Sequence, residues 1–172
     1  MFRVGILTVS DKGHAGERQD TAGPELGRLL DPRGFTVAAS QIVPDEPEAI
    51  AAILTAWSDT DGLDLILTTG GTGLSPRDTT PEATLAVAQR LVPGIGEAMR
   101  AAGLAITPHA MLSRGVAVIR GHTLIINLPG SPRGAVESLE AVWEAVPHAV
   151  ALIQGTATDR SHSPREPDAQ GS

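Results

Sequence analysis

A chain of 172 residues, 41% hydrophobic and 19% charged, is long enough for one domain that buries roughly 70% of its unfolded surface. A net charge of −7 and an aromatic content of two Trp, two Phe and no Tyr argue against broad contact with nucleic acid or an anionic membrane. The absence of cysteine excludes disulfides, thiolate zinc sites and a thiol nucleophile.

The chain opens on MFRVGILTVSDKG, an apolar run from Val4 to Val9 ended by Ser10 and Asp11. It is too short for a signal peptide or a membrane span and reads as a first strand. A cytoplasmic location is expected. Further strands are predicted over Phe35 to Val43 and Leu63 to Leu67, with helices over Pro24 to Leu30 and Pro47 to Trp57. Such β-α-β-α-β alternation predicts a mostly parallel sheet with helices on both faces and ligands at the C-terminal ends of its strands.

The third strand runs into TTGGTGLSPRDTTPEAT at residues 68 to 84. Thr80 is expected as the N-cap of a helix from Pro81 to about Arg90. Another helix is predicted from Gly96 to Leu104. In VAVIRGHTLIIN, Gly121-His122 has the form of a two-residue hairpin turn. Ser131 and Pro132 begin a final long helix, bent or broken near Pro147. The domain is therefore expected to span residues 1 to 154, followed by a mobile polar tail over 155 to 172.

The chemistry concentrates at the strand ends. Gly70, Gly71 and Gly73 allow positive φ and close approach to backbone N–H groups, as in strand-to-helix loops that hold phosphate. The loop lacks the Gly-Lys-Ser/Thr of a P-loop and the spacing of a dinucleotide fingerprint; a tight turn with solvated hydroxyls is the alternative. Asp78 either closes an Asx turn before the helix or faces a ligand. Asp45, in VPDEPEAI, either caps the next helix in a D-x-x-E pattern or joins Asp78 at the same sheet edge.

Two carboxylates about 5 Å apart would repel by roughly 3 kcal/mol at an effective dielectric near 20, so the pair makes sense around a cation. Hard oxygen ligands with phosphate point to Mg²⁺. The histidines, His14, His109, His122, His148 and His162, are scattered and suit surface or turn roles. Ser10 and Asp11, which end the first strand, either bring a hydroxyl and a carboxylate to the same edge or only serve the turn that follows. LSR at 112 to 114 and INLPGSP at 126 to 132 either finish strands or close the pocket, and Asn127, inside an apolar run, must find partners if buried.

Taken together, ILTVSD, the downstream Asp20 and Gly23-Pro24, VPDE, DLILTTGGTG, PRDTTPEAT, ITPHAMLSR and IRGHTLIINLPGS resemble the MogA/MoaB family of molybdenum cofactor biosynthesis. The similarity covers about Val4 to Gln154 and is closest to the molybdopterin adenylyltransferase domains of plant and animal fusion proteins. It implies a three-layer α/β/α sandwich, usually a homotrimer, that uses Mg²⁺ and ATP to adenylylate the terminal phosphate of molybdopterin. The product would then pass to a molybdenum-insertion enzyme.

Carried over by motif, the resemblance makes Asp45 and Asp78 the catalytic, metal-binding pair. Nucleotide would lie on Gly70, Gly71, Thr72, Gly73 and Ser75. Arg77 either assists phosphate charge or forms a surface salt bridge. Pterin or phosphate would lie near Ser10, Ser113, Asn127, Pro129, Gly130 and Ser131. The competing expectation is a scaffold on the same fold that binds molybdopterin without catalysis.

Overall fold

The computed structural model describes residues 1–157, so the predicted tail lies outside the described residues except for its first three positions. In chain order come β1 (Phe2–Val9), α1 (Asp11–His14), α2 (Ala22–Leu30), a 3₁₀ turn (Asp31–Arg33), β2 (Phe35–Val43), α3 (Pro47–Asp59) and β3 (Leu65–Thr69). They are followed by α4 (Thr80–Val87), β4 (Arg90–Leu91), α5 (Pro93–Leu104), a 3₁₀ turn (Pro108–Leu112), β5 (Ala117–Arg120), β6 (Thr123–Leu128), α6 (Pro132–Val142) and α7 (Val146–Ile153).

One six-stranded sheet has the order β2-β1-β3-β6-β5-β4. The pairs β1–β2, β1–β3 and β3–β6 are parallel, whereas β5 runs antiparallel to both β6 and β4. The sheet is thus mostly parallel, as predicted. Alternation along each inner strand sends side chains to opposite faces. Ile6, Leu65, Leu67, Leu124 and Ile126 pack with Leu26, Met99, Leu139 and Val146 of α2, α5, α6 and α7. Leu7, Ile66 and Ile125 pack on the other face with Ile50, Leu54, Trp57 and Val87 of α3 and α4. Three layers result because one sheet buries both of its faces under helices.

Several element boundaries differ from the sequence expectation. Helix α4 stops at Val87, because Ala88 is extended (ψ 139°) and Arg90–Leu91 pairs with β5. Thr80 is not the cap: Thr79 holds that position without a side-chain bond. Thr80 is fully buried, and its hydroxyl donates to Gly70 O at 2.9 Å. Helix α5 begins earlier than predicted, with Pro93 in its first turn. The hairpin is as predicted, since Arg120 pairs with Thr123 across Gly121-His122 and Gly121 has φ 55°. The final helix is broken as expected, with Pro147 in the first turn of α7.

Parallel pairing brings the C-terminal ends of β2, β1, β3 and β6 to one edge, where Val9 faces Val43, Thr8 faces Thr69 and Thr69 faces Leu128. From β1 the chain winds outward to β2 and then returns to β3 on the other side. This reversal is where open α/β sheets leave a crevice for ligands.

Candidate active site

A cleft of about 500 Å³ opens at that reversal, lined by the ends of β1 and β3 and by the segments after β2 and β6. It brings together Ser10, Asp45, Gly70, Gly71, Asp78, Gly130 and Ser131 from four segments of the sequence. Thr8, Gln19, Asp20, Thr21 and Thr69 also line it. Sequence reasoning left these five out of the site. Asp20 carried a signal, an acid placed before the first turn of α2: its Oδ1 accepts from Gly23 N at 3.1 Å and its Oδ2 from the Thr8 hydroxyl at 2.7 Å.

The glycine loop is shaped by close backbone approach. Gly70 has φ 102°, and a Cβ there would strike the carbonyl of Val9. Gly71 has φ 65°, and a Cβ would collide with the Thr80 hydroxyl and come within 3.3 Å of Asp45 Oδ1. Both positions therefore require glycine. The loop is also gripped from outside the cleft. Arg114 donates through its backbone N to Thr72 O, through Nε to Gly73 O at 2.8 Å and through Nη2 to Asp78 O at 2.6 Å. Its other terminal nitrogen pairs with Glu82, holding that carboxyl below the usual range.

Asp45 does not cap α3. Glu46 occupies the N-cap position, without a side-chain bond. Instead, Asp45 Oδ2 accepts from Asp11 N at 2.8 Å while Asp11 Oδ1 accepts from Asp45 N at 2.9 Å, a reciprocal clasp between the β1 and β2 ends. Burial pushes the Asp45 carboxyl above its ordinary value; the Asp11 N–H bond opposes this, and the nearby charges of Asp11 and Asp78 reinforce it. Asp78 Oδ2 accepts from Ser75 N at 2.9 Å, back within its own loop, while Thr80 N donates to Gly71 O. The expected Asx turn into the helix therefore does not form, and Asp78 lines the cleft. Among the described hydrogen bonds, Oδ1 of Asp45 and of Asp78 remains available for a further partner.

The other expected residues lie elsewhere. Thr72 is buried, while Gly73, Ser75 and Arg77 do not line the cleft. Arg77 forms a two-pronged bond with Asp11 and a further pair with Glu46. It holds the Asp11 carboxyl below the usual range. Asn127 is 1% exposed: its amide donates to the hydroxyls of Thr68 and Thr84, and its oxygen accepts from Val116 N. It cross-braces the core and does not reach the cleft. Ser113 and Pro129 line a second cavity of about 300 Å³ with Thr107 and His109, and this cavity shares Ser131 with the first cleft.

The hydroxyls of Ser10 and Ser131 are N-caps, accepting from Gly13 N and Gly134 N. His14 and His122 face backbone oxygens of Ile42 and Ile153. Among the described residues no group of three or more His, Asp or Glu is placed to hold a metal.

Residues 5–148 match the family model described as a probable molybdopterin binding domain. The chain is 42% identical to the molybdopterin adenylyltransferase of Haemophilus influenzae, over 92% of this chain and 88% of that one. It is 45% identical to gephyrin of Dictyostelium discoideum over 87% of this chain but only 22% of that protein. Its fold superposes on the molybdopterin biosynthesis enzyme MoaB of Thermus thermophilus with a TM-score of 0.87 at 61% identity, covering 90% of this chain and 98% of that one.

Proposed function

Because the chain belongs to the family of probable molybdopterin binding domains, we propose that its cleft is the active site of a molybdopterin adenylyltransferase in molybdenum cofactor biosynthesis. The enzyme transfers AMP from ATP to the terminal phosphate of molybdopterin. The observation that carries this reading is the meeting of Asp45 and Asp78 beside the bare backbone of Gly70 and Gly71. An acidic pair repels a polyphosphate unless a cation lies between them.

The donor set fits Mg²⁺. Two carboxylates with a spare oxygen each match a metal that takes one or two protein carboxylates and completes its shell with phosphate oxygens and water. Bound there, Mg²⁺ would neutralise charge on the phosphates. The Gly70 N–H is spent on Leu128 O, so the loop would meet the nucleotide through its close glycine backbone and the N–H of Gly71, and the hydroxyls of Ser10 and Ser131 border the same space. The second cavity, joined to the first through Ser131 and bordered by Thr107, His109 and Ser113 beside apolar groups such as Ile106 and Pro129, suits the flat pterin, with its phosphate directed toward the acidic pair.

In the reaction a phosphate oxygen of molybdopterin bonds to the α-phosphorus of ATP as the bond to pyrophosphate breaks. Both reactants are anions, so alignment and charge neutralisation supply the rate without a protein nucleophile. We place the enzyme in the cytoplasm as a homotrimer that delivers its product to a molybdenum-insertion enzyme. Exposed Leu104 at the end of α5 and Met111 in the following turn supply apolar surface for such association.

Incubating the protein with molybdopterin, ATP and Mg²⁺ and measuring pyrophosphate tests the activity. Stoichiometric release and an adenylylated pterin are expected. Folded protein that binds molybdopterin but releases nothing would identify a scaffold instead.

A further inference from the structure

Building on the adenylyltransferase reading of the cleft, we infer that Arg77 is a positioning residue. Through Asp11 it ties the loop carrying Asp78 to the segment carrying Asp45, and so holds the two acidic groups in one site. Three segments must meet for this site to exist: the end of β1 with Asp11, the end of β2 with Asp45 and Glu46, and the loop after β3 with Arg77 and Asp78. The first two are joined by the reciprocal Asp11–Asp45 backbone bonds at 2.8 and 2.9 Å. The third leaves the sheet after Thr69 pairs with Thr8.

Arg77 brings that loop back. Its Nε donates to Asp11 Oδ2 at 3.0 Å and its Nη2 to Asp11 Oδ1 at 2.8 Å, while both terminal nitrogens lie 3.1 Å from Glu46 Oε1. Asp78 follows directly in the chain and is fixed to its own loop by Ser75 N. The connection thus runs from Asp78 to Arg77 by a peptide bond, to Asp11 by a planar fork, and to Asp45 by paired backbone bonds. A fork held at both oxygens of a carboxylate sets direction as well as distance, which a lysine cannot do. The same bonds engage the guanidinium with carboxylates, and Arg77 does not line the cleft, so it is not posed as a direct phosphate clamp.

The test compares wild type with Arg77→Gln, Asp11→Asn, the double variant and Arg77→Lys. Binding of Mn²⁺ with α,β-methylene-ATP is followed by calorimetry, and pyrophosphate release is measured separately. The Arg77 side chain is 54% exposed, so its loss should leave the melting midpoint nearly unchanged. Affinity and kcat should fall roughly tenfold to a hundredfold in each single variant, no further in the double variant, and by less in Arg77→Lys.

A direct phosphate contact predicts the opposite pattern: Asp11→Asn would free the guanidinium and keep or improve binding while Arg77→Gln weakened it, and the inference would be overturned. Wild-type binding in Arg77→Gln would overturn it equally. If wild type binds the analogue but releases no pyrophosphate, the proposed activity fails while the binding pattern still decides the role of Arg77.

Discussion

At the scale of single residues, the role proposed for Asp45 sets function against stability most clearly. Replacing Asp45 or Asp78 with Ala should cut turnover by about 10² or more, the loss expected when one electrostatic stabiliser is removed from a preorganised site. Pyrophosphate release checks this, and circular dichroism should show both variants folded, since neither side chain caps a helix. Asp45 also makes a thermodynamic prediction. Its folded pKa lies above 3.8, chiefly through burial, so between the two values the native state binds more protons than the unfolded chain. Its contribution to stability therefore declines as pH rises from the ordinary value through the raised one. Asp45→Asn should melt higher than wild type at pH 7, and this advantage should shrink as pH falls through the raised value and be gone below 3.8. Melting curves across that range measure it.

At the scale of elements, the end of β6 and the loop after β3 rely on buried polar bracing. Asn127 joins β6 to β3 through Thr68, to α4 through Thr84 and to the entry of β5 through Val116 N. Asn127→Ala would orphan the Val116 N–H and leave two buried hydroxyls short of a partner. Urea denaturation should show a loss of about 1–3 kcal/mol. The position was conspicuous in the sequence as an amide in an apolar run, but periodicity gives no means of telling an internal brace from a ligand contact. The same limit applies to Thr80, whose sequence position suits a cap while its hydroxyl holds Gly70 O.

At the scale of the whole molecule, the cleft exists because four parallel strands end at one edge and the strand order reverses between β1 and β3. A ligand that bridges those segments binds only the folded state, so it should raise stability by about 2.7 kcal/mol at a hundred times its Kd. Thermal melting with ATP and Mg²⁺ should show that shift, and chelation of the metal should remove most of it. No helix among the described residues is long and apolar enough to cross a membrane.

The sequence by itself determined the alternating elements, the mostly parallel sheet, the Gly121-His122 turn and the break near Pro147, because apolar periodicity and the backbone limits of Gly and Pro act locally. Ordered motifs also pointed to Asp45, Asp78, Gly70 and Gly71, which line one cleft. Only the tertiary structure decided where each side chain is spent: Asp45 on Asp11, Arg77 on Asp11 and Glu46, Asn127 within the core, and Asp20 beside Thr8. These choices depend on which strand ends become neighbours and which groups lose contact with water, and both are settled by packing among segments far apart in the chain.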